Sequence, residues 1–113
     1  MAIKRLAHVG VVVEDLEAAK AFFLDLGMEV DGEGTIEGDW LDRLNTLDGV
    51  RVDLVVLRTP DGHGRLELTA FHSPAVVRGT PENAPSNTLG LRNVMFLVDD
   101  LDAVVAGLRA RGT

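Results

Sequence analysis

The sequence predicts an α+β fold: one βαβββ module followed by the first strand and helix of a second copy, forming a curved mixed sheet with helices on its outside. Three observations predict it. A β-branched run leads into a capped amphipathic helix, two alternating runs flank a dense turn, and the opening strand–helix pattern returns near the C-terminus.

Residues 3–13, IKRLAHVGVVV, are apolar and β-branched without a helical period, which reads as a buried strand. Asp15 then stands at the N-cap position of a helix. Leu16, Ala19, Phe22, Phe23 and Leu26 mark one face of that helix, and Gly27 is placed to end it. Residues 28–36 read as a second strand, interrupted in character by Gly32 and Gly34. Residues 37–48 fit either a short helix or an ordered loop around Trp40, Leu41 and Leu44. Residues 50–59 and 65–72 read as two strands joined by the turn Pro60-Asp61-Gly62-His63-Gly64, a hairpin. Residues 73–89 carry three of the four prolines and read as a linker between a first module, 1–72, and a second unit, 90–113.

The second unit repeats the first. Val13-Glu14-Asp15-Leu16-Glu17-Ala18 aligns with Val98-Asp99-Asp100-Leu101-Asp102-Ala103. The same shift carries Gly27 onto Gly112, and Val9 and Val11 onto Val94 and Phe96. Strand, cap, helix and stop recur in one register, which points to a duplication. Counterparts of residues 29–72 would lie past residue 113. The second copy is then completed either by further C-terminal chain or by another chain.

Bulk composition narrows the function classes. One core fits in 113 residues, and 46% apolar with 26% charged residues is ordinary for a globular domain. A net charge of −7 and the lack of Tyr disfavour nucleic-acid binding, which needs cations and stacking platforms. No apolar run is long enough for a membrane span, and the N-terminus has no signal-peptide pattern. The absence of Cys excludes disulfides and thiolate metal sites and fits a cytoplasmic location.

Alternation along the strands picks out two residues. Leu6, His8, Gly10 and Val12 share one strand face; Arg65, Glu67, Thr69 and Phe71 share another. The remaining residues of both strands are almost wholly apolar and suit the helix side. His8 and Glu67 therefore point together into the concave face of the sheet. An imidazole and a carboxylate on rigid strands suit a divalent metal such as Zn, Ni, Mn or Fe. The plainer alternative is a hydrogen-bonded His8, with Glu67 ion-paired to Arg58 or Arg65. In the repeat, His8 corresponds to Asn93, a weaker metal ligand, and Glu67 has no counterpart within the chain. His63 reads as a turn residue and His72 as a capping or packing residue. Met95 and Leu97 share the Asn93 face, and Trp40 either walls a ligand site or anchors residues 37–48. No phosphate loop, Ser-His-Asp set or zinc-protease helix is present.

The stretches LAHVGVVVEDLEAAKAFFLDLGMEV, GHGRLELTAFHSP and NTLGLRNVMFLVDDLDAVVAGLRARG together resemble the vicinal oxygen chelate superfamily of glyoxalases, bleomycin resistance proteins and dioxygenases. The resemblance covers essentially the whole chain. It implies two βαβββ modules whose sheets form a partly closed barrel around a metal. It also implies ligands at His8 and Glu67, with Asn93 standing where metal-using members place a second His. The function it implies first is a metal-dependent lyase or isomerase of the glyoxalase I type, with Glu67 as ligand, catalytic base or both. A non-catalytic protein that sequesters a small molecule such as bleomycin is the second possibility, and an extradiol-type dioxygenase the third. The expected partner is a small molecule. The incomplete second copy predicts a homodimer, with exchange of modules as one way of closing its open strand edge.

Overall fold

The computed structural model describes residues 2–79 and 81–112. The chain divides into two compact units, Met1–Val77 and Arg78–Thr113.

The first unit contains β1 (Val9–Val12), α1 (Leu16–Asp25), β2 (Glu29–Glu37), α2 (Asp39–Asn45), β3 (Arg51–Arg58) and β4 (Arg65–Ser73). The sheet order is β1-β4-β3-β2. β1 runs parallel to β4, and the other two pairings are antiparallel. The predicted βαβββ order holds, and residues 37–48 resolve in favour of a short helix.

α1 forms because its apolar positions recur on one face and its first turn is capped. The Asp15 carboxylate accepts a hydrogen bond from the Ala18 amide at 3.0 Å, satisfying a donor that the helix itself leaves open. Gly27, at φ 107°, takes the chain out of the helix through a conformation that other residues rarely adopt. α1 packs over β3 and β4. Beneath it lie Val55, Leu57 and Leu68, fully shielded from solvent, with Leu66 at 5% exposure. Burying such a side chain contributes about 1.5–3 kcal/mol. The opposite face of the sheet carries a smaller cluster of Leu41, Val50 and Val52, joined by Ile36 and Phe71. Leu41 comes from α2, so this cluster seats α2 over one end of that face.

β1 is shorter than the predicted strand over 3–13. Its register explains why. Val9 pairs with Leu66, and β4 begins at Arg65, so residues before His8 run past the end of the strand that β1 pairs with among the described residues. Apolar β-branched sequence cannot make a ladder where no partner strand exists. β2 begins and ends one residue later than expected and keeps both glycines, with a register shift between Val30 and Gly32.

In the second unit, α3 (Leu101–Ala110) is capped by Asp100, whose carboxylate accepts from the Ala103 amide at 3.0 Å. Gly112 follows it at φ 76°. Cap, helix and stop thus match α1 residue for residue under the sequence shift. The strand expected over 90–98 differs. Residues 91–98 join no ladder among the described residues. Leu91, Met95 and Leu97 stand 84–100% exposed along it.

Candidate functional site

Strand register assembles the site. In the β1–β4 ladder Gly10 pairs with Glu67 and Val12 with Thr69. His8 lies two residues before Gly10 and so projects from the same face. The antiparallel neighbour adds Val52 opposite Phe71 and Leu54 opposite Thr69. All of these side chains face away from α1. α2 and the end of β2 close one side of this face, and a cavity of about 390 Å³ remains.

His8 and Glu67 meet at its polar corner. His8 Nε2 is 3.5 Å from Glu67 Oε2, with the side chains 44% and 26% exposed. The Thr69 hydroxyl is 3.5 Å from the other carboxylate oxygen, Oε1. The carboxylate therefore has one oxygen toward a hydroxyl and one toward an imidazole. Two donors each about 2.1 Å from one tetrahedral ion stand roughly 3.4 Å apart. The His8–Glu67 spacing fits two positions of such a shell. No group of three or more His, Asp or Glu side chains converges among the described residues. The rest of a shell would fall to water, to substrate oxygens, or to groups outside this pair.

The rest of the wall is mainly apolar. Val12, Leu54, Val52, Phe71 and Ile36 line the sheet side, and Trp40, Leu41, Leu44 and Asn45 line the α2 side. Between Trp40 and Leu41, the structure makes Leu41 the anchor, at 5% exposure, and leaves Trp40 on the cavity wall at 54%. Gly38, at φ 136°, precedes α2, and a Cβ there would come within 3.1 Å of the Trp40 indole. The bare backbone thus lets the ring lie against it. Asp42 fixes the far side of α2: its carboxylate accepts from the Gly49 and Val50 amides at 3.0 and 2.8 Å.

The alternative pairing of Glu67 with Arg58 or Arg65 does not form. Both arginines are held by Asp31: Arg58 Nη1 at 3.1 Å from Oδ1, Arg65 Nε at 3.1 Å from Oδ2. The guanidinium of Arg65, then that of Arg58, holds the Asp31 carboxyl below its ordinary range. The Val30–Gly32 register shift brings Asp31 to this position, a signal that strand alternation alone does not carry. His72 lies away from the cavity, with Nε2 2.8 Å from Asp53 Oδ2. A hydrogen bond from Thr35, followed by the one from His72, keeps the Asp53 carboxyl low. His63 occupies the β3–β4 turn, its amide donating to Asp61 at 3.0 Å. Asn93, Met95 and Leu97 belong to the second unit.

The chain's likenesses show its family and fold. A sequence profile of the glyoxalase/bleomycin resistance protein/dioxygenase superfamily matches residues 7–113. The chain belongs to this superfamily. The uncharacterized protein YaeR of Escherichia coli K12 is 30% identical over 111 residues, covering 97% of this chain and 73% of YaeR. A crystal structure of a glyoxalase family protein from Bacillus cereus superposes with a TM-score of 0.92 at 37% identity, over 99% of this chain and 76% of that one. The structure of SMU.1112c shares the fold, with a TM-score of 0.61 at 24% identity, over 97% and 76% of the two chains. Members of the superfamily bind small molecules and commonly hold divalent metals. No helix among the described residues is long and apolar enough to cross a membrane.

Proposed function

We propose that this superfamily member is a metal-dependent lyase or isomerase of the glyoxalase I type, acting on a small substrate that presents two adjacent oxygen atoms. The observation that carries the reading is the 3.5 Å approach of His8 Nε2 to Glu67 Oε2 at the polar corner of an otherwise apolar cavity. His8 and Glu67 would hold the cation, which supplies Lewis acidity toward the substrate oxygens. Glu67 would also take and return a substrate proton; that it is the only acidic side chain on the cavity wall among the described residues supports this role. The Thr69 hydroxyl lies 3.5 Å from its second oxygen.

Protein purified without chelators and analysed for divalent metals tests this reading. Bound metal near one equivalent in the wild type, lost in His8→Ala, is expected. No metal above background, with no thermal stabilisation of the wild type by added metal, would contradict it.

A second reading has its own support. With two ligand-type side chains converging, the cavity also suits a non-catalytic protein that sequesters an apolar molecule, as its superfamily's name allows. Saturable ligand binding without turnover, unaffected by Glu67→Gln, would favour it. In either case the exposed apolar side chains of residues 91–98 support a homodimer, with or without exchange of the C-terminal unit, since a large exposed apolar patch is usually covered. Light scattering that returns a monomer at high concentration would contradict the dimer.

A further inference from the structure

The segment between Leu41 and Val50 hangs on one residue. Leu41 and Val50 are buried, and no residue between them is. Leu44 and Leu47 are exposed, and an open hollow of about 280 Å³ lies against Asp42, Thr46, Leu47 and Asp48. A stretch with so few apolar contacts depends on its hydrogen bonds to stay in place. These converge on Asp42. Its carbonyl accepts from the Thr46 and Leu47 amides. Its carboxylate accepts from the Gly49 and Val50 amides at 3.0 and 2.8 Å. Hydrogen bonds to an ionised acceptor are the stronger kind.

Thr46 works against this hold. Its backbone is left-handed, at φ 56° and ψ 42°, and among the described residues it is the only one besides glycine with positive φ. A β-branched side chain makes that conformation unfavourable, so the turn that ends α2 is strained where it stands. Glycines with positive φ flank the segment, Gly38 at 136° and Gly49 at 66°, and such backbone absorbs large rotations readily. α2 meanwhile forms one wall of the cavity through Trp40, Leu41, Leu44 and Asn45. A strained element between two glycines, fastened by one buried leucine and one carboxylate, has the parts of a lid: hinges, a catch and a spring.

We propose that α2 is a lid that lifts from the sheet, with the Asp42 carboxylate as the catch that keeps it seated and the Thr46 strain favouring release. Lifting withdraws Leu41 from Val50 and Val52, its partners in the buried cluster, and removes the α2 wall of the cavity. The inference goes beyond the proposed metal chemistry and needs none of it, since neither His8 nor Glu67 belongs to the device.

The chain has no cysteine, so an introduced thiol is the sole one. Val52 is buried in the cluster that Leu41 completes, while Val55 is fully shielded on the α1 side. Val52→Cys therefore reports lifting of α2, and Val55→Cys reports opening of the rest of the fold. Both would be labelled with dithionitrobenzoate in metal-free protein. Asp42→Ala should speed labelling of Val52→Cys at least about tenfold, and Asp42→Asn, which keeps one acceptor oxygen, by less. Thr46→Asn introduces a residue that tolerates left-handed backbone and should slow labelling several-fold. Labelling of Val55→Cys should not respond. Amide exchange at Leu44 and Asn45 reads the same opening without a cysteine and should move in step with Val52→Cys labelling. An unchanged Val52→Cys rate in Asp42→Ala, an acceleration shared equally by Val55→Cys, or faster labelling in Thr46→Asn would overturn the proposal. So would exchange at Leu44 and Asn45 that ignores Asp42→Ala, the result expected if only the loop after α2 frays. Failure here leaves the His8–Glu67 reading standing, and loss of metal binding leaves the lid standing.

Discussion

Gly10 pairs with Glu67 across the parallel β1–β4 ladder, and a Cβ built on Gly10 would meet no atom within 4 Å. The cavity is open on the side of Glu67 that faces Gly10. His8, two residues earlier on the same face, can then reach Glu67 with nothing between.

This relationship gives a separation-of-function variant. Gly10→Val places a β-branched side chain in a strand, where glycine is entropically unfavourable, so stability should hold or rise by up to roughly 1 kcal/mol. The isopropyl group would stand in the cavity beside His8 and Glu67. Urea denaturation should show an unchanged or higher midpoint, while metal or ligand affinity falls at least about tenfold, or about 1.4 kcal/mol. Normal affinity in the folded variant would show that the space beside Glu67 is not used.

Leu57 and Leu68 are fully shielded on the α1 side of the sheet. Truncating either to Ala should cost about 2–5 kcal/mol through lost burial and the cavity left behind. Chemical denaturation measures this directly. A loss below about 1 kcal/mol would mean that the sheet relaxes around the hole.

Asp15 and Asp100 make the same cap hydrogen bond, each at 3.0 Å, at matching positions of α1 and α3. Replacing either with Ala should weaken its own helix by about 1 kcal/mol. Amide hydrogen exchange should show faster exchange in the first turn of the mutated helix only.

Asp31 carries a pH dependence whose sign is set by its lowered pKa. The unfolded carboxyl titrates near about 3.9. Its favourable ionisation in the fold contributes fully above that value and is lost as pH falls through the lower folded value. Asp53 and Asp61, also lowered, act in the same direction. The urea midpoint should therefore fall below about pH 4, and Asp31→Asn should flatten part of that slope. An identical slope in the variant would remove Asp31 from the account.

Much of this molecule was legible from local pattern. The alternation of β1 and β4 placed His8 and Glu67 on one face, and the helix caps at Asp15 and Asp100 form where the sequence puts them. What escaped was set by partners distant in sequence. The start of β1 depends on where β4 begins, at Arg65. Residues 91–98 have strand-like sequence but join no ladder. Trp40 and Leu41 are adjacent and both apolar; packing against Val50 and Val52 decides that Leu41 turns inward. The capture of Arg58 and Arg65 by Asp31 depends on the register shift in β2, which no alternation pattern announces.

The central claim is that His8 and Glu67 act together on a divalent cation. Cobalt titration of the metal-free protein, followed through the visible absorption of the bound ion, tests it most directly. The account predicts a saturable cobalt spectrum in the wild type that weakens at least about tenfold in both His8→Ala and Glu67→Gln, each still folded. A spectrum of equal strength and affinity in either variant, or none in the wild type, would contradict it.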